Sequence, residues 1–481
     1  MTPQPSVLVI ASDTIGPRMA GSGIRYWNLA RVLGAQQPVT LATREPVDLS
    51  PPPGVTLRAY GYAGASEDER GNALARLLAE HEVVVAQHLP YLYADPALIA
   101  SRYIVVDLYA PWILEKLEYA RIDPLRGEPN RQDDVTILKR LLSLGDFFIC
   151  AAERQRDFWL GALAAAGRLE LAHVAADPEL RTLIDIVGFG LPEQPPLKTG
   201  PGPRGRFPAI GRDDTVLLWN GGMWNWLDPL TAIRATALLV ECLPNVRLVF
   251  MGTRSPGAQV AEMEVVASAR MLASDLGLLD RHVFFHDWVP YEERQNWLLE
   301  ATVALSLHVA TVEARFAYRT RLLDNIWCGV PTVATEGDIL ADVVRDEKIG
   351  VLVRPADAAG VRDAVMQVLD RDAGRAMRSN LAALAQRYTW EQVSRPLAAW
   401  CAAPQRLSAT RGQDPQAEYL QSLERMYSDT AQYARHLEQV VAAKDAALQA
   451  AHAQPQPQPI ETETARKRPD LGSLFRRNRA G

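Results

Sequence analysis

The sequence predicts an α/β protein built from two doubly wound, Rossmann-like domains facing across a cleft, with a helical tail behind them. Three observations carry this. Apolar runs of strand length alternate with helix-period segments. The alternation breaks once, where Pro and Gly crowd together, and then resumes in the same order. At 481 residues, with 48% hydrophobic and 22% charged residues, the chain is long enough to bury two large cores.

In the first domain (residues 1–195) strands are expected at Ser6–Ala11, Val39–Thr43, Val83–Ala86, Tyr103–Asp107 and Phe147–Ala151, with a helix over Gly23–Leu33. Continuous apolar strands of this kind are buried on both faces, as in a parallel sheet covered by helices. Residues 196–212 (PLKTGPGPRGRFPAIGR) have no apolar periodicity and read as a flexible linker. The second domain (213–403) has strands at Thr215–Trp219, Val246–Met251, Val283–Phe285, Val303–Leu307 and Pro331–Thr335, and helices over Asp228–Leu243, Val260–Leu276 and Tyr318–Cys328. Beyond it Leu420, Tyr427, Ala434, Val441 and Leu448 recur every seven residues, which predicts a coiled-coil or docked amphipathic helix over 416–450 and a surface for self-association or a partner protein. Residues 451–481, opening with QPQPQP, are expected to be disordered.

The formal net charge of −6 removes the basic bias of a sequence-independent nucleic-acid binder. Positive charge concentrates at residues 466–481, where six Lys and Arg stand against Asp470 with Leu471, Leu474 and Phe475 between them, a segment suited to peripheral contact with an anionic membrane. No run approaches the ~18 apolar residues of a membrane span, and no signal-peptide pattern opens the chain. Cys150, Cys242, Cys328 and Cys401 stand far apart in apolar surroundings, as reduced core thiols of a cytoplasmic protein would.

Open α/β sheets place ligands beyond the carboxyl ends of their strands. After the first strand, Gly16, Gly21 and Gly23 let backbone N–H groups approach an anion at a helix start, with Arg18 and Arg25 at hand. The spacing departs from GxGxxG, so a nicotinamide site fits poorly. After Trp219 the turn Asn220-Gly221-Gly222 repeats the arrangement before a helix capped by Asp228-Pro229, and Trp224 or Trp226 is placed to wall the cleft. From Leu307 onward His308, Glu313, Arg315, Arg319, Arg321 and Asp324 gather in one loop and helix start. Guanidinium forks there suit a diphosphate and a carboxylate suits a ribose diol.

Residues 215–400 resemble the donor-binding domain of family 4 glycosyltransferases of the GT-B fold, through Asn220-Gly221-Gly222, PNVRLVFMG at 244–252, LGLLDRHVFFHDWVPYEER at 276–294 and LLDNIWCGVPTVAT at 322–335. The motif around Glu313, Arg319, Arg321 and Asp324 is similar to one in bacterial surface-polysaccharide transferases. The resemblance implies transfer of a sugar from a nucleotide-diphosphate donor to a glycan or lipid-linked acceptor, with anomeric retention, no divalent metal and no cofactor. By position, Gly221 and Gly222 lie against the diphosphate, Asp324 holds the ribose and the backbone around Val289 faces the base. The family's Arg and Lys after the glycine turn fall at Met223 and Leu227 here, which makes Arg319 and Arg321 the substitutes. The first residue of its acidic pair falls at Phe316, which makes Glu313 the replacement. Asp107 and Tyr109 stand where the family often has His, so Asp107 joins Glu313 and His308 as the catalytic candidates, with His88 a further proton carrier. The missing Arg/Lys pair also fits a silent nucleotide-sugar-binding scaffold, and an epimerase shares the fold.

Overall fold

The computed structural model describes residues 4–412, apart from 12, 18, 20, 89–95, 123 and 255–262, together with residues 433 and 436–446. Two all-parallel sheets organise residues 4–412. The first holds β1 (Val7–Ile10), β2 (Val39–Thr43), β3 (Val55–Ala59), β4 (Val83–Ala86), β5 (Tyr103–Asp107), β6 (Phe147–Cys150) and β7 (Ile184–Ile186), in the order β3-β2-β1-β4-β5-β6-β7. The second holds β8 (Thr215–Trp219), β9 (Val246–Phe250), β10 (Val283–Phe285), β11 (Val303–Ser306), β12 (Thr332–Thr335) and β13 (Gly350–Val353), in the order β10-β9-β8-β11-β12-β13. Val7 pairs in register with Val39 on one side and Val83 on the other, so β1 is central and buried throughout. Its unbroken apolar sequence follows from that position.

The strands without a sequence signal, β3, β7 and β13, are three of the four edge strands, and they alternate or half-expose their residues. Helices begin where their caps dictate. Asp228 accepts the Thr231 amide at 3.0 Å to start Pro229–Cys242, with Pro229 at the first helical position.

Two expectations about domain limits change. Residues 196–212 are bonded down onto the second domain: the Thr199 and Gly200 amides donate to Asn296 Oδ1 at 2.7 and 3.1 Å, and Lys198 pairs with Glu300 at 2.6 Å. The end of the 213–403 stretch returns to the first sheet. Trp400, on the helix Arg395–Ala402, stacks on Phe147 at 5.2 Å between ring centroids. Residues 404–412 then run across the first domain, where Arg406 and Arg411 reach the buried Asp146 at 3.2 and 2.9 Å and Ser408 and Thr410 donate to Glu170. One apolar core therefore runs from Val7 and Leu29 through Leu322 to Trp390 and Leu397.

Cys150 and Cys401 lie in the core, but Cys328 is half-buried and Cys242 is exposed, because it ends an amphipathic helix on its outer face. No helix among the described residues is long and apolar enough to cross a membrane.

Residues from 415 onward form a separate unit. Its described residues 436–446 are helical, with Leu437 and Val441 one turn apart and both exposed. The rest of the heptad segment and the basic end lie outside the described residues.

Candidate active site

In the first sheet the strand order reverses between β1 and β4, and in the second between β8 and β11. Such switch points open crevices beyond the strand ends. A cavity of about 300 Å³ is lined by Asp13 and Ser22 after β1, Gln87 and His88 after β4, Tyr109 and Glu115 after β5, and Glu313, Tyr318 and Arg319 after β11. Both domains thus contribute to one chamber.

The second-domain side is assembled by pairing across the switch point. Leu227 bridges to His308, and the Asp228 amide donates to Leu307 O at 3.0 Å, which brings the glycine turn beside the loop after β11. Gly221 has φ +89°, a conformation that suits glycine. Asn220 Nδ2 donates to Arg321 O at 2.9 Å, and Arg321 Nη2 donates back to Gly222 O at 3.0 Å. The guanidinium lies over Trp219 at 5.3 Å, while its Nη1 is buried without a hydrogen-bond partner. Burial, then the charge of Arg319, push the Arg321 pKa down to about 9. A buried guanidinium donor left unbonded beside a second arginine is an arrangement that an anion satisfies.

Thr311 caps the short helix Val312–Phe316, accepting the Ala314 amide at 3.1 Å, and this turns Glu313 inward. Glu313 is 1% exposed. One carboxylate oxygen accepts from Arg319 at 2.7 Å and the other, Oε1, has no partner. His308 Nδ1 lies 3.1 Å from Val309 O, and its Nε2 faces Asp338 at 3.5 Å. Burial, then Arg319, hold the His308 pKa below its usual range, whereas burial pushes Asp338 up to about 6. Asp338 caps the helix Ile339–Asp346, so the sequence signal for it was that of a cap.

Asp324 accepts from Arg294 Nε at 3.0 Å and keeps part of its carboxyl exposed. Arg294 is sandwiched between Tyr291 and Trp327, at 3.8 and 4.8 Å from their ring centroids. It sits inside the quoted PYEER segment yet carries no sequence signal of its own, because its partner is 30 residues away. Trp224 stacks on Trp226 with ring planes 5° apart and also packs within 3.2 Å of where a Cβ on Gly222 would stand. Val289 has its side chain in the core, which leaves only its backbone for a ligand.

Two expected roles do not survive the geometry. Arg25 and Asp107 are both completely buried and bonded to each other, with Nε–Oδ2 at 2.6 Å and Nη2–Oδ1 at 3.0 Å. Asp107 is therefore engaged inside the first domain rather than lining the cavity, and so is Arg25, which also donates to Gly188 O at 2.9 Å. Gly23 is required by packing, because a Cβ there would come within 2.5 Å of Thr14 O, while Gly21 faces open space. Arg18 lies outside the described residues. Glu115, which drew no attention in the sequence because it sits in an amphipathic helix, faces the chamber, and burial, then Glu313, push it up to about 7.

Two Rossmann-like domains closed by a returning C-terminal helix define a GT-B protein. Residues 214–371, within the second domain, match the family model for glycosyl transferases group 1. D-inositol 3-phosphate glycosyltransferase of Acidothermus cellulolyticus is 30% identical over 183 residues, 37% of this chain and 39% of that protein. That of Nocardioides sp. is 30% identical over 196 residues, 39% and 41%. The match thus spans about two-fifths of the length of these curated relatives. Among solved structures, sucrose-phosphate synthase from Thermosynechococcus elongatus aligns with TM-score 0.58 at 16% identity, covering 82% of this chain and 98% of that one. Anabaena HepE in complex with UDP-glucose aligns with TM-score 0.55 at 15% identity, covering 82% and 98%.

Proposed function

We propose that the protein is a retaining, metal-independent glycosyltransferase that moves a sugar from a nucleotide-diphosphate donor to a glycan or lipid-linked acceptor in cell-surface polysaccharide biosynthesis. The observation that carries this is Arg321, folded onto the Gly221–Gly222 turn with a buried, unbonded Nη1 and with Arg319 beside it. A diphosphate laid against the turn takes up that donor and relieves the crowding of positive charge. Asp324, oriented by Arg294, accepts the ribose hydroxyls.

The bond between the anomeric carbon and the diphosphate oxygen breaks, and its electron pair leaves with the nucleoside diphosphate beside Arg321. Positive charge develops on the sugar near the carboxylate of Glu313, which lines the chamber. The acceptor hydroxyl adds to the face the diphosphate leaves, and its proton passes to the departing phosphate. The basic segment 466–481 supports an acceptor carried on a membrane lipid.

Release of free nucleoside diphosphate from a panel of nucleotide sugars tests the proposal. Slow turnover of one donor, cut roughly tenfold or more in Arg321→Ala and Asp324→Ala, is expected. A chain that binds nucleotide yet turns over no donor, with or without acceptors, overturns it in favour of a binding scaffold.

A further inference from the structure

The chamber between the domains has a charge that bears on what enters it. Its described lining holds three carboxylates, Asp13, Glu115 and Glu313, against one guanidinium, that of Arg319, which already donates to Glu313. Asp13 is engaged on both oxygens, by the Thr14 amide at 2.7 Å and the Ser22 hydroxyl at 2.8 Å. Glu313 is not: its Oε1 is buried and accepts nothing. Glu115, from the first domain, lies close enough to Glu313, from the second, that their charges oppose each other.

We propose that this chamber receives an uncharged, hydroxyl-bearing sugar of the acceptor, which donates hydrogen bonds to Glu313 Oε1 and Glu115, and that it discriminates against a phosphorylated acceptor end. A hydroxyl supplies the donor that Oε1 lacks, whereas a phosphate brings acceptors and like charge to a chamber where three acidic side chains stand against one guanidinium. The curated relatives are named for a phosphorylated inositol. The inference rests on the glycosyltransferase reading but not on turnover, because it is stated for binding.

Ligand-observed NMR on the full chain, with UDP or GDP present, compares two probe sets: methyl hexosides and myo-inositol against glucose 6-phosphate and inositol 3-phosphate. At least one neutral probe is expected to bind tenfold or more tighter than every phosphorylated one. Glu115→Gln should weaken it at least threefold with nucleotide affinity unchanged, and Glu115→Lys should narrow or reverse the preference. Tighter binding of a phosphorylated probe, binding of neither set, or a Glu115→Gln variant that binds like wild type each overturns the inference. Neutral-sugar binding with no transfer from any donor leaves the inference standing and sinks the catalytic reading, so the two fail separately.

Discussion

The guanidinium of Arg25 clasps both carboxylate oxygens of Asp107, with neither side chain exposed to solvent. A pair of this kind is held by geometry, and removing one partner strands the other charge in the core. Asp107→Ala is therefore expected to cost about 3–5 kcal/mol of stability. Denaturant unfolding measures this. A loss of turnover without a loss of stability would return Asp107 to the substrate side.

Arg321 should behave in the opposite way. Arg321→Ala removes charge-assisted bonds to a donor diphosphate, each worth about 1.5–3 kcal/mol, so kcat/KM for the donor should fall roughly 10- to 100-fold. The melting temperature should fall less than in Asp107→Ala, because Arg321 gives up a hydrogen bond to Gly222 O rather than a buried ion pair. Arg321→Lys should recover little, since an ammonium lacks the fork that grips the glycine turn.

Stability should depend on pH through Glu115. Its folded-state pKa is raised from the ordinary 4.5 to about 7 by burial, then by Glu313, against the opposing charges of Arg319 and of Lys116 on its own helix; Asp13 and His88 face it across the chamber. The folded state thus holds its proton more tightly. The contribution is fully present below pH 4.5 and is lost as the pH rises through about 7. Asp338, raised to about 6, has the same sign, and His308, lowered, the opposite one below 6.5. Subtracting the Glu115→Gln profile from wild type isolates the Glu115 slope, and identical profiles would remove it.

Closure of the chamber should be sensitive to Arg154. From the helix Glu153–Ala165 of the first domain it pairs with Asp342 and donates to Arg315 O at 2.8 Å and Gly337 O at 2.9 Å, all in the second. Its neighbour Gln155 spans the same gap, donating to Tyr109 O and Phe316 O at 2.8 Å each. Arg154→Ala should open the domains, seen as a larger radius of gyration in small-angle scattering, and should raise the donor KM more than it lowers kcat.

What the sequence made legible follows what physics makes local. The inner strands announce themselves because both faces are buried, and Asp228-Pro229 announces a helix because capping needs only adjacent residues. The glycine turn and the arginines after β11 were readable for the same reason. Partnerships across long sequence separations were not. Asp107 at a strand end looks the same whether it faces a ligand or Arg25, 82 residues earlier, and Glu115 looks like any acidic residue of an amphipathic helix until the second domain brings Glu313 against it. Edge strands such as Val55–Ala59 lacked the apolar run that betrays central ones.

The segment that carries Arg406 and Arg411 onto Asp146 also sets an order of events during synthesis. Domains of a growing chain ordinarily fold in sequence, the first completing before the last has emerged. Here the carboxylate of Asp146 is shut into the first domain with its counter-charges encoded more than 250 residues downstream, and Phe147 meets Trp400 from the same late stretch. The half that emerges first from the ribosome must therefore wait, incomplete, until the whole second half has been translated and its end has threaded back.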